Sequence, residues 1–508
     1  MASAESKSFS NEHLLILLLC AAAAFRVFVF SAAFPFFSNI DEDLHFDLIT
    51  QYSHAQVPRG FDRLKEETLN WIVPYASPEF LFPPEHFADG KFPAPLWKQS
   101  WSEVEPEIAA TRAAWSGEIN FESSQPPLYY ALAGLWWWIG KQIGLAGIQS
   151  LYWVRFLNAV LIAIVVWLGY VAARTIAPER IELRIGVPLL IAFIPQSVFY
   201  AMNNDVLSPL CFGALFLCVL QWLRTDDPRA LLGALTGLAV AATCLTKVSN
   251  LPLVAVALAI IGATSIAVIS RRSSAGLIAL AALISCLALP VGTWMLWTKF
   301  NFGDVTGSTA KIGLLGWTRK PFADWWQHPI FTPHGVWIFW SDLIASFWRG
   351  EVRWHSQTLR WRAADGFYGV SSVLLISAAI VGLRKQAGLS AFQRQAIGSA
   401  ILIFLAGIVF LALLSIQFDF GTCINPSREH PYFTSGRLLS GAIIPFALSY
   451  VYGISWLCRV ATSKVRQIRW IETALPLVVL GAIVVFSQVS EIFVTHPVFA
   501  SEHNWFHR

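Results

Sequence analysis

The chain has 508 residues, 56% hydrophobic and 13% charged, with mean hydropathy +0.55. Its 23 Trp and 37 Phe exceed what one soluble core can bury, and apolar runs of the roughly 20 residues needed to cross a bilayer recur along it, which excludes a soluble globular or disordered chain. A net charge of +4 gives no reason to expect a nucleic-acid partner.

The first run, 12–34, follows Lys7 and ends in small residues, as a cleaved signal would. It is longer than such a segment and carries Arg26 inside it, so a retained helix is expected. Directly after it comes NIDEDLHFDL (39–48), with Asp41, Glu42, Asp43 and Asp47 around His45. The stretch ESSQPPLYYALAGLWWW (122–138) then places two prolines at the entry of a short apolar helix, 126–140. That helix is too short to span comfortably, and its Trp cluster suits the membrane interface. Further spans are expected at 151–173, 185–202, 206–223, 230–246, 250–269, 275–299, 369–383, 396–416, 437–458 and 471–492, making about eleven. Six of the seven cysteines lie within or at the end of these runs and only Cys423 in a loop, so no disulfide framework is implied.

With the N-terminus cytoplasmic, the loops at 172–184, 224–229, 270–274, 383–394 and 458–469 are short and basic, as the positive-inside rule demands. Counting 126–140 as a span would turn them outward. The long acid-bearing loops, 35–150, about 300–368 and 417–436, then all face outside, as does the tail 493–508. The expectation is one integrated all-α membrane domain over 1–508: a first helix, the loop 35–150 with juxtamembrane helices, a six-helix core at 151–299, a second outer loop at 300–368 and C-terminal helices at 369–492. Multi-pass insertion in the cell (inner) membrane follows.

The chemistry is expected on the outer face. Four carboxylates so close to a span do more than solvate a helix end. His45 stands four residues after Asp41, on the same face of a helix, and Asp205 in MNNDVLSP ends another span on the same side. Asp41, Glu42 and Asp205 are therefore candidate catalytic acids, since a carboxylate near 3 Å can take the proton of an attacking hydroxyl. On an extended segment Asp41, Asp43 and His45 would face one way and suit Mg or Mn, which leaves a divalent metal open although no cofactor is required. Glu122 and Gln125, brought in with Tyr129 by the 126–140 helix, join His45 as candidate substrate contacts. Lys247 in CLTKVSN, Arg437 in TSGRLLS and Arg155 in YWVRFLN are membrane-edge cations. Each alone reads equally well as snorkelling to lipid; together they are candidates for a lipid-linked phosphate. SFWRGEVRW (346–354) reads first as an interfacial anchor and second as a wall of that site, and Arg26 fits no site.

A first span, an outer loop opening on DE, a QPPLYY helix, an Arg opening the next span, NND, TK, SFW and GR resemble, in that order, the type C (GT-C) membrane glycosyltransferases, which include the protein mannosyltransferases and aminoarabinose transferases, and most of all an uncharacterised bacterial branch of them. The likeness covers the first half well and rests on SFW and GR beyond about residue 300. It implies transfer of a sugar from a polyprenyl-phosphate donor to a glycan, lipid or protein acceptor, with Asp41 in the catalytic position, Lys247 and Arg437 at the donor phosphate, and membrane lipids around it. A transporter or flippase of lipid-linked glycans, and a polymerase or ligase using pyrophosphate-linked donors, are the rival readings.

Overall fold

The computed structural model describes residues 2–37, 41–271, 273–385, 388–463 and 469–507. The Asn39 and Ile40 that open the acidic stretch, and parts of three basic loops, lie outside them. Strand content among the described residues is limited to two short antiparallel ribbons, Thr318–Arg319 with Phe418–Asp419 and Arg353–Trp354 with Gln357–Thr358. The chain is an all-α polytopic membrane protein.

Helix α1 (Ala2–Ala33) leads to a juxtamembrane group: α2 (Glu42–Ser53), α3 (Glu66–Tyr75), α4 (Trp101–Trp115) and α5 (Leu128–Gln142). Then come α6 (Ile148–Ile176), α7 (Ile181–Ala192), α8 (Ser208–Arg224), α9 (Ala230–Thr246), α10 (Leu251–Ser270) and α11 (Ser274–Phe302). A second connection holds α12 (Ser308–Leu314) and α13 (Pro333–Arg349), followed by α14 (Arg362–Lys385), α15 (Ala391–Gln417), α16 (Ile443–Thr462) and α17 (Arg469–Phe499). Nine helical segments among the described residues are long and apolar enough to cross a membrane. Nine of the eleven expected spans coincide with them; the other two, α7 and α9, have 12 and 17 residues.

The break after α7 has a physical cause. At about 1.5 Å per residue α7 covers roughly 18 Å, less than the hydrocarbon core. Its continuation, 193–207, is irregular and mostly buried, a state tolerated at depth only where other groups satisfy the backbone. They do so here. Asn158 of α6 donates to the carbonyls of Phe199 and Ala201 at 3.0 and 2.9 Å, and Gln488 of α17 donates to Phe193 O at 2.8 Å. Arg26 of α1 donates to Ala192 O and Ile194 O at 3.2 and 2.8 Å and to both oxygens of Glu491 at 3.0 Å. The cation that fitted no site is therefore a clamp across this broken segment.

The short α9 packs on α11 through Gly233 and Gly237. A Cβ at Gly233 would stand 1.9 Å from Ala279 O, so only glycine permits this close backbone approach. Helix α5, entered through Pro127 as its N-cap, has 15 residues and is not among the candidate spans. Its tryptophans divide: Trp138 is exposed, Trp137 is buried against Phe46 and Trp71, and Trp136 stacks on Trp153 while their indoles exchange hydrogen bonds with each other's carbonyls.

Candidate functional site

One end of the helix bundle gathers the stretches that the sequence singled out. Asp41 follows α1, Arg155 lies in the second turn of α6, Asp205 precedes α8, Lys247 joins α9 to α10, and Arg437 precedes α16.

Glu42 and Arg155 form its foundation. Arg155 grips Glu42 through Nε to Oε1 at 2.7 Å and Nη2 to Oε2 at 2.6 Å, with both side chains fully buried. Its remaining donors reach the carbonyls of Ser31, Phe34 and Pro35, the last turn of α1 and its exit. Glu42 in turn accepts from the backbone N–H of Phe37 and Met202, both at 2.9 Å. All five guanidinium N–H groups are engaged, so Arg155 has no donor left for a phosphate, and Glu42 is shielded from any substrate. This corrects the expected substrate-binding and catalytic roles: the pair fixes the α1–α2 turn against α6. Asp47 works alike one turn on, accepting from Gln51, Asn120, Thr68 and the Lys65 backbone at 2.7–3.0 Å.

That turn presents Asp41. Its φ of 55° and ψ of 29° are left-handed, a conformation Asp and Asn tolerate better than most residues. Its carboxylate accepts from Arg437 Nη2 at 3.1 Å and stays 28% exposed. Arg437 Nη1 faces Asp205 Oδ2 at 3.7 Å, and Lys247 Nζ donates to Asp205 Oδ1 at 2.6 Å. Two carboxylates and two cations thus alternate in one chain from Asp41 to Lys247. Asp205 is buried at its closed end.

A second chain runs beside the first. Lys311, on α12, donates to Glu122 at 2.7 Å; Gln125 donates to Glu122 at 2.6 Å and accepts from Asn204 at 3.1 Å, next to Asp205. Against its burial, Lys311 and the nearby His45 hold the Glu122 carboxyl down at about 2. His45 Nδ1 lies 2.8 Å from the Tyr130 hydroxyl, and Tyr129 is buried beside it. Burial, helped by Lys247 and Arg437 and opposed by Glu122, pushes the His45 imidazole down to about 3, so it is neutral near pH 7.

The third wall is SFWRGEVRW. Phe347 and Trp348 are wholly buried, Trp348 stacked on Tyr368 with its indole N–H on Ser372, so the interfacial-anchor reading gives way to core packing. Gln196 donates to Ser346 O and Phe347 O, and the Ser346 hydroxyl accepts from Gly436 N at 2.8 Å, which docks this segment against Arg437. Arg349 pairs with Asp365 at 2.7 Å. Glu351, which sequence reasoning passed over with Lys311, accepts from Ser435 at 3.1 Å while Ser435 accepts from Arg437 Nε at 3.3 Å. Burial pushes the Glu351 carboxyl up against the pull of Arg437. Lys311 lies on the short helix α12 outside any motif, and Glu351 lies within SFWRGEVRW, whose extra charge was the one sequence signal.

The metal reading needed an extended segment. Residues 42–53 are helical instead, Asp41 turns to Arg437 and His45 to Tyr130, and no group of three His, Cys, Asp or Glu side chains among the described residues is arranged to hold an ion.

Asp43 yields a prediction. Burial and the Asp41 charge raise its carboxyl from the ordinary 3.8 to about 7. The folded chain therefore keeps a proton that the unfolded chain loses, so stability falls as pH rises from about 4 to 7 and is flat above. Asp43→Asn removes that loss. Its melting temperature in detergent is expected to exceed wild type by a few degrees at pH 8, with the gap shrinking toward pH 5; a pH-independent gap would refute the shift.

Three structures from Archaeoglobus fulgidus are similar at low identity. They are the oligosaccharyltransferase in its apo form (12% identity, TM-score 0.40), the oligosaccharyltransferase AglB with an inhibitory peptide and a dolichol-phosphate (11%, 0.39), and the oligosaccharyltransferase with Zn and sulfate (10%, 0.39). Each comparison covers 97% of this chain but only 53–56% of the other, so the chain spans little more than half their length. No curated protein matches. One family model does match, over residues 25–422, and the chain belongs to that family, described as predicted membrane protein (DUF2142).

Proposed function

We propose that this protein is a glycosyltransferase acting at the extracytoplasmic face of the cell membrane, moving a sugar from a polyprenyl-phosphate donor to a hydroxyl acceptor. The observation that carries the reading is the chain Asp41–Arg437–Asp205–Lys247, a partly exposed carboxylate beside two cations at a membrane-edge site. Asp41 takes the proton of the acceptor hydroxyl as its oxygen attacks the anomeric carbon. The bond from that carbon to the phosphate oxygen breaks, and its electron pair stays on the polyprenyl phosphate. Arg437 Nη1 makes no hydrogen bond among the described residues, and Lys247 donates only to Asp205, so both keep donors for the developing charge. Buried Asp205 suits a counter-ion to these cations rather than a base. A single displacement inverts the anomeric centre.

The test supplies purified protein in nanodiscs with a panel of radiolabelled polyprenyl-phosphate sugars and acceptor extracts. Polyprenyl phosphate should be released, product should be inverted, and EDTA should leave the rate unchanged. Retained configuration would refute single displacement, and loss of activity in EDTA restored by Mg would restore the metal reading.

The buried Arg26–Glu491 pair and the break after α7 are features a transporter of lipid-linked glycans would also show. Arg26 is closed on two backbone carbonyls, which suits a structural clamp. Glycan movement across vesicles without release of polyprenyl phosphate would favour transport.

A further inference from the structure

The opposite end of the bundle carries its own charged cluster. Helix α1 holds Glu12 near its start and leads to Asp41 past its end; α16 starts six residues after Arg437 and carries Arg459 in its last turn, roughly 25–30 Å away at helical rise. There Glu182 Oε1 accepts from Arg180 Nε and Arg459 Nη2, both at 3.0 Å, and from Ser455 at 3.1 Å. Two guanidiniums thus share one carboxylate oxygen. Arg184, one helical turn from Arg180, pairs with Glu12 at 2.9 Å. Glu12 also accepts from the Tyr170 hydroxyl, which Arg174 contacts at 3.2 Å. Glu179 accepts from Gln393 at 2.7 Å, beside Arg394.

The balance does not close. Among the described residues of this cluster and its immediate neighbours, five arginines (174, 180, 184, 394 and 459) stand against three glutamates (12, 179 and 182). Arg180 is only 5% exposed, yet its Nη1 has no hydrogen-bond partner among the described residues, and the same holds for the solvent-shielded Nε atoms of Arg184 and Arg459. A shielded N–H left unused is costly, and one on each of three neighbouring arginines, of which only Arg180 is itself buried, points to an acceptor supplied from outside the described residues. Exposure rises from Arg180 through Arg184 to Arg459, so the cluster runs from the packed interior to the surface.

We infer that Arg180, Arg184 and Arg459 form a binding site for a phosphate group at the basic end of the bundle. Arg offers paired N–H donors to phosphate oxygens, and a phosphate monoanion there would offset the excess positive charge. The phosphate arrives either on an anionic lipid headgroup or as free inorganic phosphate, and one experiment separates these. Nothing in the inference depends on the transfer reaction, because the site lies at the other end of the helices.

The full chain, purified in a neutral detergent, is titrated with micelles containing phosphatidylglycerol, with phosphatidylcholine micelles, and with inorganic phosphate, following thermal unfolding. Wild type should be stabilised by phosphatidylglycerol or by inorganic phosphate but not by phosphatidylcholine alone; the first assigns a lipid headgroup, the second a soluble anion. Arg459→Gln and Arg184→Gln, both partly exposed and the less apt to disturb folding, should each weaken that response at least about tenfold in ligand concentration. Equal responses in wild type and both variants, or none to either phosphate source, would overturn the site.

Discussion

Replacing Asp41 by Asn is expected to leave the protein folded and to slow glycosyl transfer about 10²–10⁴-fold, the usual contribution of a positioned general base. The turn should survive because Asn suits the left-handed conformation at residue 41 at least as well as Asp. The lost ion pair is partly exposed, and Arg437 keeps Asp205 and Ser435 as partners. Such pairs contribute on the order of 1 kcal/mol or less. Asn is also the sharper choice than Ala, which would strain that backbone and mix a folding defect into the rate. The measurement is polyprenyl-phosphate release by wild type and variant at matched melting temperature. A rate within tenfold of wild type would remove Asp41 as the base and pass the role to Asp43 on the same turn, whose carboxyl titrates near neutrality.

The long spans were legible because length and hydropathy alone decide them. The break after α7 was not, since apolar residues continue through it, and what ends the helix is a set of donors, Arg26, Asn158 and Gln488, on three other helices. The same distance in sequence hid the site's wiring. Asp41 and Arg437 are 396 positions apart, and only the fold brings them to 3.1 Å. Sequence pattern could propose the residues, because carboxylates and cations at membrane edges are conspicuous, but it could not rank them. Glu42 and Asp41 are adjacent and chemically alike; burial separates a structural anchor from an accessible acid. Lys311 had no signal to rank, being a single charge on a short helix of a long connection, and Glu351 was masked within SFWRGEVRW, which misled because Phe and Trp suit a membrane interface and a packed core equally well.

The second large effect is expected at that anchor, and it should fall on stability rather than chemistry. Glu42→Gln leaves Arg155 charged and fully buried with three carbonyls but no carboxylate, and breaking such a pair costs about 3–5 kcal/mol. Gln retains the shape, but its one oxygen can accept from only one of the Phe37 and Met202 amides and its NH2 group faces the donors on the other side, so the loss combines the missing charge with a donor–donor clash. A sharply lowered melting temperature and faster proteolysis between α1 and α2 are the readouts. Arg155→Met alone should be comparably damaging, because it strands the carboxylate, whereas the double variant Glu42→Gln, Arg155→Met should recover part of the loss, since neither buried charge then remains. If Glu42 instead belonged to the chemistry, Glu42→Gln would melt like wild type and lose turnover. The two neighbouring substitutions, Asp41→Asn and Glu42→Gln, therefore separate along different axes, one through rate and one through stability, and it is the placement of Arg155 beneath one carboxylate and Arg437 beside the other that divides them.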